Sequence, residues 1–117
     1  MNVLRCALTL CRAGIALFAA GSAVTGRLLA GPAADGSLAL LASGTFLLAC
    51  GASVLNQYQE RGIDALMTRT RHRPLPAGKL SPRRALVLAA GLMVAGLSVL
   101  STCGVLPALL GIAALLW

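Results

Sequence analysis

Residues 56–82 read NQYQERGIDALMTRTRHRPLPAGKLSP, and this polar segment lies directly between two long apolar runs. It holds two of the chain's three acidic residues and, counted through Arg84, seven of its ten basic ones. The remainder is apolar: the 117-residue chain is 58% hydrophobic and 11% charged. A soluble domain of this size must keep more of its surface in water, so the composition implies an integral membrane protein. Carboxylates kept at a membrane edge point to a function there. The most economical one is a divalent metal held by carboxylates and ringed by cations, which is how a protein grips a diphosphate.

Working outward, a helix needs about 20 apolar residues to cross the hydrocarbon core. Residues 37–55 and 85–105 carry no charge and meet that length. The expected spans are 13–30, 37–57, 85–104 and an incomplete 107–117, around a motif loop at 58–84. Arg27 snorkels to the interface at the end of the first span. The fold expected is all-α, a transmembrane helical bundle in a single partial domain. It ends after about three and a half spans, because the last dozen residues are too few to cross. A secretory signal peptide is the competing reading of the N-terminus, with Arg5, an apolar core and small residues near Gly21. The stretch GPAADG at 31–36 reads as a turn between helices.

The excess of Lys and Arg after the second span places the N-terminus and the motif loop on the cytoplasmic side of the cell (inner) membrane. The positive balance does not indicate nucleic acid: aromatics are only 3% and the cations lie between hydrophobic spans. Cys6, Cys11, Cys50 and Cys103 form no CxxC pair and fall mostly in apolar runs, so they read as small buried side chains.

Within the motif segment, Asn56, Glu60 and Asp64 are spaced i, i+4, i+8. In a helix these share one face, each about 6 Å further along the axis. Oxygen donors of this kind suit Mg2+, which binds one or two carboxylates together with substrate phosphates. Arg61, Arg69, Arg71 and Arg73 follow, and the planar guanidinium fork suits phosphate. Pro74 and Pro76 stiffen the loop, Gly78 permits a turn, and Ser81-Pro82 reads as a helix start with Ser81 as N-cap. A basic loop that only sets topology would explain the arginines, but it leaves Asn56, Glu60 and Asp64 without a role. His72 reads as a solvated loop residue, Tyr58 as an interface anchor or cavity wall, and Trp117 as an interface anchor or simply the point where the sequence is cut. Gly14, Gly21, Gly44, Gly51, Gly91 and Gly96 read as helix contacts.

The run Asn56, Glu60, Asp64, Met67, Arg69-Thr70, Arg73-Pro74-Leu75-Pro76, Gly78 and Pro82 resembles the UbiA superfamily of intramembrane prenyltransferases. The lead-in at 63–67 and the Ser81-Pro82 close look most like its protoheme IX farnesyltransferase (heme O synthase) branch. The resemblance implies an all-helical protein with nine spans around a central cavity. It implies that Asn56, Glu60 and Asp64 form a first aspartate-rich motif, binding Mg2+ with a prenyl diphosphate. It implies Arg69 and Arg73 as diphosphate contacts or loop-ordering residues, and Arg12 as a further diphosphate contact. The implied reaction alkylates heme B with farnesyl diphosphate in the lipid bilayer. A quinone precursor such as 4-hydroxybenzoate is the alternative acceptor, and an inactive small membrane protein is the alternative of another class.

The chain departs from the family pattern in several places. Glu60 replaces a more usual aspartate, Gly62 replaces an acid, and Arg12-Ala13-Gly14 stands where Lys-Pro-Arg is common. The resemblance covers the first third to two fifths of a full-length relative. A second aspartate-rich motif has no place in it, since Asp35 is the only other acid. The piece alone is therefore expected to be inactive.

Overall fold

The computed structural model describes residues 2–31 and 36–116. Residues 32–35, the centre of the expected turn, and Trp117 lie outside the described residues. Five helices follow in order: α1 Val3–Cys11, α2 Ala13–Leu29, α3 Ser37–Leu66, α4 Pro82–Cys103 and α5 Val105–Leu116. No strand occurs among the described residues. α3 and α4 are each long and apolar enough to cross a membrane, and α1 with α2 makes a third crossing if the bent pair is one span. Large apolar side chains such as Phe18, Leu29, Val87 and Leu106 are exposed, as they are on a protein whose solvent is lipid. The chain is an integral membrane protein.

α3 is the axis of the bundle. Its 30 residues extend about 45 Å, some 15 Å more than a hydrocarbon core. The surplus is the polar stretch after Asn56, so the motif helix is a direct extension of the membrane helix. α2, α4 and α1 all pack against α3. The α3–α4 contact is close because glycines line it. A Cβ at Gly96 would sit 2.8 Å from the Leu48 amide nitrogen and 2.9 Å from the Gly44 carbonyl oxygen. One at Gly51 would meet Met93 Cγ at 2.6 Å. Small residues let membrane helices approach backbone to backbone, where dispersion contacts are densest. The helix-contact role expected of the glycines holds for Gly44, Gly51 and Gly96. It does not hold for Gly14, Gly21 and Gly91, where an added Cβ would meet nothing within 4 Å.

Two helix boundaries differ from the sequence expectation. Ahead of residue 13, where the first span is expected to start, stands a further helix, α1, bent from α2 by 52° at Arg12. Arg12 is the one non-glycine residue of positive φ among the described residues (φ 47, ψ 57), and its N–H reaches only back to the Thr9 carbonyl, at 3.4 Å. The break before α5 falls at Gly104, whose φ of 136 only glycine adopts readily. Pro107 does not make that break. It lies in the first turn of α5, where a missing N–H costs no helical bond. At the start of α4, Ser81 Oγ accepts the Arg84 N–H at 3.3 Å and Pro82 opens the helix.

Replacing Gly96 with alanine forces the α3 and α4 backbones apart. We expect a destabilisation of roughly 1–3 kcal/mol, read as a lowered Tm in detergent. Gly91→Ala, in open space on the same helix, leaves Tm unchanged or raises it.

Candidate functional site

A helix repeats every 3.6 residues, so an i, i+4, i+8 series drifts by about 80° around the axis. That drift divides the motif. Asn56 and Glu60 are exposed, whereas Asp64 has turned into the buried stripe of Cys50, Val54 and Gln57. Asp64 Oδ2 accepts from Arg73 Nη1 at 2.9 Å, the one salt bridge among the described residues. The Asp64 carbonyl accepts from Thr70 Oγ1 at 3.0 Å and from the Met67 N–H at 3.3 Å. Pro74 and Leu75 are buried next in sequence, and the Pro74 carbonyl takes the amides of Lys79 and Leu80. Leu75 and Leu80 enter one core cluster with Leu10, Val54, Ala85 and Ala89. The RPLP stretch is thus a plug, pinned by its arginine and seated by its apolar residues.

Asn56 faces the other way, into a cleft of about 520 Å3 that it shares with Arg12, Ile15, Ser53, Gln59 and Leu115. The break at Arg12 brings this residue to the cleft, and the end of α1 is held there by α3. Helix C-termini leave carbonyls without intrahelical partners. The buried Gln57 donates Nε2–H to the Leu10 carbonyl at 2.7 Å and satisfies one of them.

The candidate residues therefore fall into two groups. Arg12 and Asn56 line one cleft, and Asp64 and Arg73 form an ion pair at the end of α3. Glu60, exposed, is one helical turn from each of the two on α3. Arg69 is exposed on the loop, and so is His72. Arg61 stays on its own helix, with its guanidinium 4.2 Å above the Tyr58 ring.

No group of three His, Cys, Asp or Glu side chains gathers among the described residues. Asn56 and Asp64 stand about 12 Å apart along α3 and on different faces, so one cation cannot take both. A hard cation could draw on the Glu60 carboxylate with Asn56 Oδ1, or on Glu60 with Asp64 Oδ1, the oxygen not bonded to Arg73. An all-oxygen set with one or two carboxylates fits a hard ion that keeps waters and phosphate oxygens in its shell; it does not fit a closed zinc site. Cys6, Cys11 and Cys50 are buried free thiols.

Over residues 7–117 the sequence matches the UbiA prenyltransferase family. The chain belongs to this family. It is 46% identical over 110 residues to the protoheme IX farnesyltransferase of Geobacter sulfurreducens, covering 94% of this chain and 41% of that protein. It is 46% identical over 102 residues to the protoheme IX farnesyltransferase of Sorangium cellulosum, covering 83% of this chain and 34% of that protein. For the Symbiobacterium thermophilum protoheme IX farnesyltransferase the figures are 49% over 73 residues, 60% and 24%. The chain thus spans about two fifths or less of the length of these relatives. No solved structure matches it.

Sequence reasoning missed Gln57 and Gln59, and it named Thr70 only within the family pattern, without its bond to the Asp64 carbonyl. Gln57 had a signal, since it continues the stripe Cys50–Val54 at helical spacing and a polar residue in such a stripe needs a partner. That bond of Thr70 had none, because its acceptor is a carbonyl that only the loop's course brings near. Gln57→Leu leaves the Leu10 carbonyl buried without a donor, and we expect a loss of roughly 1–3 kcal/mol, measured as a fall in Tm. Gln59→Leu, on the exposed side, leaves Tm nearly unchanged.

Proposed function

We propose that the protein carrying this segment is a Mg2+-dependent prenyltransferase that joins the farnesyl group of farnesyl diphosphate to heme B, giving heme O. The observation that carries the reading is the polar cleft shared by Arg12 and Asn56, one helical turn from Glu60 at the polar end of a membrane helix. The names of the relatives support the choice of donor and acceptor. The Lys and Arg excess in the motif loop supports a cytoplasmic position for it, in the inner membrane.

The side chains divide the work. The Arg12 guanidinium offers a planar fork to the diphosphate oxygens, and the Asn56 and Gln59 amides add donors beside it. Arg73 holds the Asp64 carboxylate by Oδ2, so that Oδ1 is not engaged by it. Arg69, on the loop pinned by that pair, reaches the outer phosphate. Magnesium would be held along α3 by Glu60 together with Asn56 or with Asp64, and there it would supply Lewis-acid stabilisation to the departing diphosphate. The allylic C–O bond breaks with its electron pair leaving on diphosphate, where these donors meet the charge that develops. The allylic carbon is attacked by a heme vinyl group, and water adds to the resulting cation and releases a proton. This yields the hydroxyethylfarnesyl side chain. Residues 1–117 by themselves do not turn over on this reading, because a second acidic motif is not among their three acids.

The test is heme O formation by the full-length protein, followed by chromatography and mass spectrometry. Asp64→Asn keeps an acceptor for Arg73 but loses the charge that strengthens the bond. We therefore expect a modest fall in Tm, from a loss of about 1 kcal/mol, while turnover falls about a hundredfold or more. Near-normal turnover in that variant overturns the metal assignment. Arg12→Gln should raise the KM for farnesyl diphosphate about tenfold without changing that for heme. Chelation should abolish activity, and Mg2+ should restore it.

A further inference from the structure

A groove of about 440 Å3 runs between α1 and the start of α4, lined by Ala7, Leu80, Arg83, Arg84, Val87 and Leu88. It belongs to neither part of the candidate site. Two of its six lining residues are arginines, yet its walls are apolar. Both arginines are exposed residues, and an arginine lays its stem along an apolar wall while its guanidinium stays in water. Arg83 and Arg84 stand in the first turn of α4, which contains no acid. A helix N-terminus already carries partial positive charge, so two cations there are unfavourable unless an anion joins them. Among the described residues none supplies that anion: the one salt bridge there is Asp64–Arg73. α4 is a candidate span, which puts its first turn at headgroup depth.

An anion that carries its own apolar tail meets all of these conditions. We propose that the groove binds an anionic phospholipid, with the phosphate at Arg83 and Arg84 and an acyl chain against Ala7, Val87 and Leu88. Basic pockets between membrane helices bind anionic headgroups on the same physical grounds. The inference rests on the membrane placement of α4 and on no part of the catalytic reading.

The experiment is native mass spectrometry of the full-length protein in detergent, titrated with dioleoyl phosphatidylglycerol and, as the neutral counterpart, dioleoyl phosphatidylcholine. Phosphatidylglycerol should bind at least about tenfold more tightly, and the double variant R83Q/R84Q should weaken it roughly 25-fold, about fivefold per cation. R71Q/K79Q removes the same charge outside the groove and should change affinity by less than about twofold. Val87→Trp fills the groove at an exposed position without altering charge, and it too should weaken binding. The proposal is overturned if R71Q/K79Q loses as much as R83Q/R84Q. It is also overturned if phosphatidylcholine or chain-free glycerol 3-phosphate binds as well as phosphatidylglycerol. Failure of the wild type to retain either lipid would mean that another segment covers the groove, and would overturn it as well.

Discussion

The pairing of the buried Asp64 with the half-buried Arg73, 2.9 Å apart, decides where the basic loop goes, and the loop decides how α3 and α4 meet. A charge-assisted bond of this kind contributes about 1.5–3 kcal/mol. Leu75 and Leu80, both buried, contribute about 1.5–3 kcal/mol each. The apolar pair therefore supplies the larger share of the free energy, and the ion pair supplies the register. Without the pairing, a segment this rich in arginine would repel itself away from the helix end. With it, Pro74 is carried into the core, and the chain returns to the membrane at Ser81 with a capped helix ready to re-enter.

The same economy governs α1. An arginine in left-handed conformation costs about 1–2 kcal/mol. A buried carbonyl left without a donor costs a similar amount. Gln57 removes the second cost at Leu10, and the first is what turns Arg12 toward Asn56. A continuous helix through residue 12 would have had no strain at that point, and no break to present this arginine to the cleft. Local strain and a cation beside the candidate diphosphate donors are two aspects of one backbone angle.

Much of this was legible in the sequence. The polar segment between apolar runs, the Ser81-Pro82 helix start and the glycines beneath α4 follow from periodicity and local chemistry, which need only neighbours along the chain. The division of Asn56, Glu60 and Asp64 was less visible. Spacing by four places them on one face, but the helical repeat rotates the third into the core, and only packing shows which way that core lies. The bend at Arg12 was not visible at all. Nothing local forbids Arg12 from continuing the helix; the break depends on Gln57, 47 residues away from Leu10. Pro107 misled for the opposite reason, since a proline breaks a helix in its middle and not in its first turn, and Gly104 had already ended α4.

The bend also sets how this part of the molecule meets its bilayer. α2 has 17 residues, a length of about 25 Å against a hydrocarbon thickness near 30 Å. α3 is far longer and can lean to fit. A helix shorter than the slab has no tilt to give up; it stands upright, and the lipid around it thins or its end arginine reaches outward. Arg27, in the last turn of α2, is placed to do that. If α2 crosses without α1, the mismatch falls first on the helix that follows Arg12, and so on the cleft that Arg12 lines.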